Sequence, residues 1–264
     1  MVPTKAQSRH VPISPEEISE QVKVVTEMGI TSVHLHARSE DETPAWEKQY
    51  FERAISLIKE HSPDLVICVT TSGRTFTDFQ KRADALEISG ELKPDMASLT
   101  LASMNFATSA SINSPSMVQD LATKMLEKEI KPELEIFDTG MINYAKYLIT
   151  KKILKPPYIF NLLLGGIATA QAGLLDLGLM IERLPDESVW LAAGLGKSQL
   201  KANVMGLANG GGVRVGLEDN LHLDNKQQVL ATNVQLVARV IDIGKTLGRS
   251  PMSPVEFRNR YLNA

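Results

Sequence analysis

Short β-branched runs alternate with longer amphipathic stretches along the whole chain, and this regular rhythm limits the folds that it can adopt. Strands that alternate with crossover helices are typical of a parallel sheet with helices packed on its faces. We therefore expect an α/β protein. The runs predicted to be strands are residues 32–37, 65–71, 96–101, 133–138, 158–164, 188–193 and 213–218.

The helix before the first predicted strand has clearly marked ends. Ser14 and Glu17 have the spacing of a capping box, with Pro15 at the first helical position. Gly29 follows the last turn, where glycine commonly ends a helix. Other stretches with apolar residues at helical spacing are residues 46–59, 77–86, 115–128, 141–151, 168–183, 199–208 and 226–244.

The alternation favours a closed (β/α)8 barrel, also called a TIM barrel, as one domain over residues 1–264. It is unbroken by a linker, and the first strand-to-helix turn has no G-x-G-x-x-G sequence of the kind that open dinucleotide-binding sheets carry. A standard barrel begins with a strand, however, whereas residues 1–12 are mostly polar and contain Pro3 and Pro12. We expect either a degenerate first strand in residues 1–12 or a barrel whose first strand is missing from this chain.

Charge and composition indicate a small-molecule partner in the cytoplasm. The 28 basic and 31 acidic side chains give a net charge of -3, without the basic patch that nucleic acid or an anionic membrane would attract. The single cysteine, Cys68, forms no intrachain disulfide, and the N-terminus lacks a signal-like apolar stretch. Residues 158–181 are apolar but include Asp176, a charge that would cost about 2.5 kcal/mol or more inside a bilayer.

Polar side chains follow nearly every predicted strand, at the edge where barrel enzymes build their active sites. Strand-to-helix turns also favour Ser, Thr and Asp as helix caps, an interpretation that remains open for Thr71 and Asp138. Capping does not explain histidine or arginine at this edge. The residues concerned are His34, His36, Arg38, Thr70, Thr71, Ser72, Ser98, Thr100, Asn105, Glu135, Asp138, Arg214, Glu218 and Asp219.

The pair His34 and His36 is the strongest local signal for a metal site. Alternate residues of a strand share a face, so both imidazoles converge on one point, although a lone buried histidine is more often a core residue. Zinc at a catalytic site takes three protein ligands, and Glu218 is the candidate third because it ends the last predicted strand. The same ligand set could hold iron. Alternatively, Arg214, Glu218 and Asp219 form a structural salt-bridge network.

Two further features have plain structural interpretations. Residues 194–197, Gly-Leu-Gly-Lys, follow a predicted strand, and their backbone amides beside Lys197 could bind an anion or could simply form a turn. Cys68 lies among Val66, Ile67 and Val69, so we expect a packed thiol rather than a nucleophile.

Six motifs in order resemble those of the β-keto acid cleavage enzymes. They are PISPEEI at 12–18, VHLHAR at 33–38, VTTSG at 69–73, PDMASLT at 94–100, PELEIFDTGM at 132–141 and VRVGLEDN at 213–220. The resemblance implies a (β/α)8 barrel, usually a homotetramer, with one zinc ion per chain. It also implies a reaction in which a β-keto acid and acetyl-CoA give acetoacetate and a new acyl-CoA.

The resemblance also implies roles for particular residues. His34, His36 and Glu218 would bind the metal, and Asp219 would be the general base, oriented and polarised by Arg214. The substrate-binding residues would be Ser72 and Gly73 at the carboxylate, Ser98, Thr100 and Asn105 around the substrate, and Glu135 at its variable end.

Three departures from the family pattern leave alternatives open. No acidic residue precedes Glu16 to match the family's early catalytic glutamate, Ser39 replaces an aspartate, and Gly212 replaces a histidine found in many members. One alternative is a metal-dependent barrel hydrolase, although such enzymes recruit histidines at later strand ends, where this sequence has none. The other is an inactive barrel truncated at its N-terminus.

Overall fold

A seven-stranded parallel sheet forms the centre of the molecule. The computed structural model describes residues 3–263, and within them the strands of this sheet lie side by side in sequence order. Every neighbouring pair is parallel, which confirms the predicted α/β class. The strands are β1 (Ser32–Leu35), β2 (Val66–Val69), β3 (Met96–Thr100), β4 (Lys131–Ile136), β5 (Tyr158–Leu164), β6 (Ser188–Gly194) and β7 (Gly212–Val213).

Helices connect the strands and cover the sheet. The first begins as predicted, because the Ser14 hydroxyl accepts from the backbone N–H of Glu17 and the Glu17 carboxylate accepts from that of Ser14. Gly29 adopts a φ of 91° after its last turn, a conformation that suits glycine. The helices are α1 (Pro15–Glu27), α2 (Lys48–His61), α3 (Phe79–Ala83), α4 (Pro115–Glu127), α5 (Thr139–Thr150), α6 (Leu174–Glu182), α7 (Gln199–Ala208), α8 (Asn233–Thr246) and α9 (Pro254–Phe257).

The hydrophobic core lies between the sheet and the helices. All four residues of β2 and all seven of β5 are buried, as expected for parallel strands covered on both faces. Helix α2 contributes Phe51, Ile55 and Ile58, each at most 2% exposed, to the same apolar cluster. This continuous core holds the strand ends in fixed positions, so the side chains that follow the strands are also fixed.

The sheet curls until its two outer strands approach each other. His36 follows β1 and Glu218 follows β7, at opposite ends of the strand order, yet Nε2 of His36 lies 2.8 Å from Oε1 of Glu218. Within residues 3–263, no backbone ladder joins β1 to β7. The result is a curled, half-barrel parallel sheet whose edges meet through side chains.

The segment before α1 forms turns rather than the degenerate strand that was one of the two expectations. Gln7 N–H bonds to Thr4 O at 3.0 Å and Val11 N–H to Ser8 O at 3.1 Å, with no strand over residues 3–12. Residues 1 and 2 lie outside the described range. Val11 packs on Leu217 beyond β7, and these turns therefore cover that edge of the sheet.

The last predicted strand, residues 213–218, is wrong over most of its length. Only Gly212–Val213 pair with β6, and residues 216–219 form a turn in which Asp219 N–H bonds to Gly216 O at 3.3 Å. Asn233 stabilises that turn, because its side-chain oxygen accepts from Leu217 N–H at 2.9 Å. Glu218 and Asp219 are thus placed by a turn, not by strand alternation.

Two helices begin later than the sequence predicts. The apolar stretch 168–183 is helical only from Leu174, after a loop that pairs Gly165 with Ala170. The stretch 226–244 is helical only from Asn233, where Thr232 and Gln235 form a capping box. In the described part of the chain, no helix is both long and apolar enough to cross a membrane.

The C-terminal segment closes the end of the sheet opposite the polar strand ends. Phe257, Tyr261 and Leu262 pack against a cluster that includes Val66 and Cys68. Arg258 forms an ion pair with both oxygens of Asp95, and its guanidinium also donates to Leu65 O at 3.0 Å. The free thiol of Cys68 is buried, as predicted.

Candidate metal and substrate site

Two histidines and one glutamate converge where the outer strands meet. His34 lies in β1 and His36 directly follows it, and their Nε2 atoms are 3.2 Å apart. Glu218 approaches both, with Oε1 2.8 Å from Nε2 of His36 and Oε2 3.8 Å from Nε2 of His34. The three side chains therefore direct two imidazole nitrogens and one carboxylate towards the same point.

Glu133 of β4 orients His34 from behind. Its Oε2 lies 3.0 Å from Nδ1 of His34. Burial opposes ionisation, but His34 and Arg214 outweigh it and lower the pKa of Glu133 to about 2. An ionised carboxylate can only accept, so Nδ1 of His34 donates to Glu133 and Nε2 faces the cluster, an arrangement common behind metal-bound histidines.

Sequence reasoning missed Glu133, although a signal for it exists. Glu133 and Glu135 are two apart in β4 and share its inner face, just as His34 and His36 share a direction. Two carboxylates that are two residues apart in a buried strand indicate a functional site as strongly as two histidines with that spacing do. Asn161 supports Glu133 further, since its Nδ2 donates to Oε1 at 3.2 Å.

The three converging side chains fit a divalent metal ion. Donor atoms on a tetrahedral zinc stand about 3.3 Å apart, given metal-to-donor distances of about 2.0–2.1 Å. The separations here, 2.8, 3.2 and 3.8 Å, bracket that value. Burial lowers the pKa of His36 to about 3, which keeps this imidazole neutral, as ligation requires. The nitrogen and oxygen donors suit zinc and iron alike.

Arg214 connects four carboxylates beside this cluster, the most distant being Glu133, whose Oε2 is 3.9 Å from Nη1. Its Nη2 lies 2.8 Å from Glu218, its Nη1 3.1 Å from Glu135 and its Nε 3.2 Å from Asp219. Although burial opposes the charge, the surrounding carboxylates raise the pKa of Arg214 well above its usual range. The salt-bridge network and the metal-binding cluster, which the sequence left as alternatives, thus occur side by side and share Glu218.

Asp219 is a buried carboxylate with a proton affinity suited to acid–base work. Burial, together with the neighbouring charge of Glu218, raises the pKa of Asp219 to about 6 against the opposing effect of Arg214. The turn holds it in place, because Asp219 O accepts from Gly196 N–H at 2.7 Å. A base with a pKa near neutrality can both take and return a proton.

The predicted substrate-binding residues divide into two groups. Ser72, Thr100 and Glu135 line the same cavity as the metal cluster, together with Arg214 and Asp219. The other three, Gly73, Ser98 and Asn105, are not among the residues that line the described cavity.

Each residue of the second group has a structural position. Ser98 is buried beneath the strand end, where its carbonyl accepts from the Thr71 hydroxyl at 2.6 Å. Gly73 lies so close to the next loop that a Cβ would stand 2.4 Å from Ile112 O. Asn105 is exposed in the short hairpin that Met104–Asn105 forms with Ala110–Ser111.

Asp138 and residues 194–197, whose roles the sequence left open, both have a structural role. Asp138 caps α5, accepting from Gly140 N–H at 3.1 Å. Residues 194–197 form a tight turn in which a Cβ on Gly194 would stand 2.5 Å from Ser198 O, and Lys197 is exposed. Because Gly196 N–H is already bonded to Asp219, this turn positions the base, and its anion-binding role stays a prediction.

The same cavity is also lined by basic and aromatic side chains that sequence reasoning did not single out. Arg74 stacks on Phe106, with its guanidinium carbon 3.3 Å from the ring centroid. Lys81 stands 5.6 Å from the ring centroid of Trp46. All four residues line the cavity together with the metal cluster. Their signal in the sequence is only the S-G-R turn after β2, where Arg74 follows the expected carboxylate-binding pair.

A family model and several known proteins match nearly the whole chain. A family model described as "beta-keto acid cleavage enzyme" matches residues 1–262. A 3-keto-5-aminohexanoate cleavage enzyme of Fusobacterium nucleatum subsp. nucleatum is 34% identical, across 97% of this chain and 92% of its own length. A 3-oxoadipate:acetyl-CoA acetyltransferase of Cupriavidus necator is 35% identical, across 97% of this chain and 89% of its own length.

Solved structures of ObcA share the fold. Its complex with oxaloacetate superposes with a TM-score of 0.85 at 20% identity, over 97% of this chain and 68% of the ObcA chain. Its complex with a C4-CoA adduct and oxalate gives a TM-score of 0.81 at 19% identity, with the same coverage. The apo form is covered to 66%, so this chain spans about two thirds of ObcA.

Proposed function

The chain belongs to the β-keto acid cleavage enzyme family, and we propose that it converts a β-keto acid and acetyl-CoA into acetoacetate and a new acyl-CoA. One observation carries the proposal. A three-ligand cluster of His34, His36 and Glu218 shares one cavity with Asp219, a buried base. The names of several relatives include acetyl-CoA, and an ObcA complex contains a CoA adduct, which supports acetyl-CoA as the co-substrate.

We further propose that the resident metal is one zinc ion per chain, held by His34, His36 and Glu218. The donor set and its separations support this choice. A divalent ion at this point would polarise the keto oxygen and stabilise negative charge that develops there. The hydrolase alternative is less well supported, because His34 and His36 are the only histidines among the described residues that line the cavity.

Atom balance identifies the bonds that change. Acetoacetate contains the acetyl group of acetyl-CoA joined to C2 and the carboxylate of the β-keto acid, so a bond forms between the acetyl carbonyl carbon and C2. The acetyl carbon–sulfur bond and the C2–C3 bond break, and the CoA sulfur ends on the C3 carbonyl carbon. C2 must therefore lose a proton before the new bond forms and regain one when the C2–C3 bond breaks, and we assign Asp219 as the group that takes and returns it. Its raised pKa, near 6, supports the assignment.

Other side chains hold the base and the substrate. Arg214 fixes Asp219 and Glu218 relative to each other. Ser72 and Thr100 lie in the cavity wall, where we place the β-keto acid. For Gly73, Ser98 and Asn105 we propose indirect roles. Gly73 permits the close approach of the loop that contains Ile112, Ser98 holds Thr71, and Asn105 acts through the hairpin to which it belongs.

The larger assembly is also a proposal. We infer that the curled sheet is part of a (β/α)8 barrel, supported by the approach of its outer strands at the metal cluster. We also infer a cytoplasmic homo-oligomer, a tetramer as in relatives that the sequence resembles. Exposed apolar side chains on α6 and the preceding loop support oligomerisation, since Ile167, Leu174 and Leu175 are each at least 74% exposed.

Purified protein with acetyl-CoA and a panel of β-keto acids tests the proposed function. We expect acetoacetate and one acyl-CoA in equal amounts, about one zinc per chain by elemental analysis, and loss of both zinc and activity in His36→Ala. His61→Ala is a matched control, because His61 bonds to Ser19 and Ser62 away from the cavity. Metal-free protein that is fully active, or unchanged activity in His36→Ala, would refute the proposal.

A further inference from the structure

Among the arginines that line the cavity, Arg74 has no carboxylate partner in the described residues. The half-buried guanidinium of Arg74 lines the cavity and stacks on Phe106. Throughout residues 3–263, no carboxylate pairs with it and no protein acceptor bonds to its side chain. Burial costs this charge part of its solvation, and stacking on Phe106 with the more distant carboxylates offsets only part of that loss, so the position favours an anionic ligand.

The other arginines at the cavity are already occupied. Arg214 forms ion pairs with four carboxylates. Arg82 donates from Nε to Thr71 O at 2.8 Å, from Nη1 to Ile112 O at 3.0 Å and from Nη2 to Asn113 at 2.7 Å. Their donors hold the protein together, whereas those of Arg74 remain for a ligand. Stacking on Phe106 covers one face of the guanidinium and leaves its in-plane donors accessible.

Glu135, the acidic residue expected at the variable end of the substrate, is not available to a cationic tail. Its Oε1 is paired with Arg214 at 3.1 Å, and its Oε2 accepts from the Thr100 hydroxyl at 2.6 Å. The residue is only 9% exposed. A carboxylate with both oxygens engaged and its charge neutralised is a weak counter-ion for an amine. For the variable end of the substrate, the cavity thus offers the cation of Arg74, whereas the carboxylate of Glu135 is already engaged.

We propose that Arg74 binds a second carboxylate, at the end of the substrate remote from the β-keto acid group, so that the preferred substrates are β-keto dicarboxylic acids. This inference rests on the proposed function. Arginine suits the task, because its planar donors match the two oxygens of a carboxylate. Lys81, beside Trp46 in the same wall, adds positive potential. The names of the relatives do not decide the point, because they include both an amino acid and a dicarboxylic acid.

Two other anionic groups could bind Arg74, and each would give a different result in the experiments below. The first is the carboxylate that every β-keto acid carries, and the second is a phosphate of CoA. Among the described residues, no ion pair joins Arg74 to Glu218 or Asp219, so Arg74 can take a carboxylate that neither the metal cluster nor the base holds. Arg74 nevertheless shares the small-substrate cavity with the metal cluster, which favours the tail carboxylate over a phosphate.

A matched substrate pair tests the proposal. The probes are 3-oxoadipate and 3-oxohexanoate, which have six carbons each and differ in the tail carboxylate. For the wild-type holoenzyme we expect kcat/KM to be about 10-fold to 100-fold higher for 3-oxoadipate. Arg74→Met, which keeps an apolar chain on Phe106, should lose this preference while 3-oxohexanoate stays within about threefold. Arg260→Met is the control, because Arg260 is exposed at the far C-terminal segment.

Calorimetric binding of each acid without acetyl-CoA separates this inference from the proposed function. If neither acid is turned over but wild type binds 3-oxoadipate more tightly and Arg74→Met does not, the reaction proposal fails and the carboxylate site stands. Equal affinity of wild type for the two acids overturns the site. It is also overturned if Arg74→Met weakens both acids equally, or raises only the KM of acetyl-CoA.

Discussion

Glu133 holds His34 through a 3.0 Å contact between Oε2 and Nδ1, and Asn161 holds Glu133 in turn. The contact sets which imidazole nitrogen faces the metal-binding cluster. The chain of three residues runs from β5 through β4 to β1, across the interior of the curled sheet. The sheet therefore fixes His34 by two side chains that are not among the residues lining the described cavity.

Replacing Glu133 should weaken metal binding. We expect Glu133→Leu to lower zinc affinity about 10-fold to 100-fold, because His34 loses its orienting acceptor. Glu133→Gln can still accept a hydrogen bond and should lower affinity less. Competition with a chromophoric chelator measures the constant, with the exposed Glu60→Gln as control. Wild-type affinity in Glu133→Leu would contradict the orienting role.

Replacing Asp219 should separate catalysis from metal binding. Asp219→Asn keeps the shape of the side chain but removes the base, so we expect kcat to fall about 10²-fold to 10⁴-fold. Zinc content should stay near wild type, since the ligands are untouched. Asp138→Asn is the control, because Asp138 only caps α5. Activity within threefold of wild type would remove Asp219 from the mechanism.

Local signals explain how much of this molecule the sequence predicts. The capping box at Ser14, the buried runs of β2 and β5 and the pair His34 and His36 depend on near neighbours, and the corresponding elements form. The last strand fails, since Asn233, far along the chain, bonds to Leu217 and turns the backbone. Long-range packing of this kind has no local pattern.

The functional roles divide in the same way. The sequence predicts Glu218 at the end of a strand, whereas the structure brings it to the cluster from a turn. The residue lies where the prediction needs it, but the predicted backbone is wrong. Arg74 escaped notice because a single arginine in a polar turn resembles any solvated residue. Only the absence of a described ion pair, together with the ring of Phe106 beneath it, distinguishes it.

The ion pair between Arg258 and Asp95 should stabilise the fold without affecting chemistry. The pair is partly buried, with side chains 24% and 15% exposed, at the end of the sheet opposite the cavity. We expect Arg258→Ala to lower the free energy of unfolding by about 1–3 kcal/mol, because Asp95 keeps its burial and loses its partner. Urea denaturation measures the change. Arg260→Ala, two residues away and 58% exposed, should change it by less than about 1 kcal/mol.

The apolar face of α6 should join copies of the chain. Leu174, Leu175 and Leu179 are 75%, 84% and 41% exposed on one helix, and clustered exposed apolar side chains often mark an interaction surface. Gly178 lies between them with no atom near its missing side chain, so another helix could approach closely. We therefore expect Leu175→Asp to shift the molecule to a smaller assembly in light scattering coupled to gel filtration. Val24→Asp, on the exposed face of α1, is the matched control. An assembly unchanged by Leu175→Asp, or a wild-type protein that is already monomeric, would show that α6 does not join copies. Metal content measured on the same fractions would report whether the site of each chain remains intact.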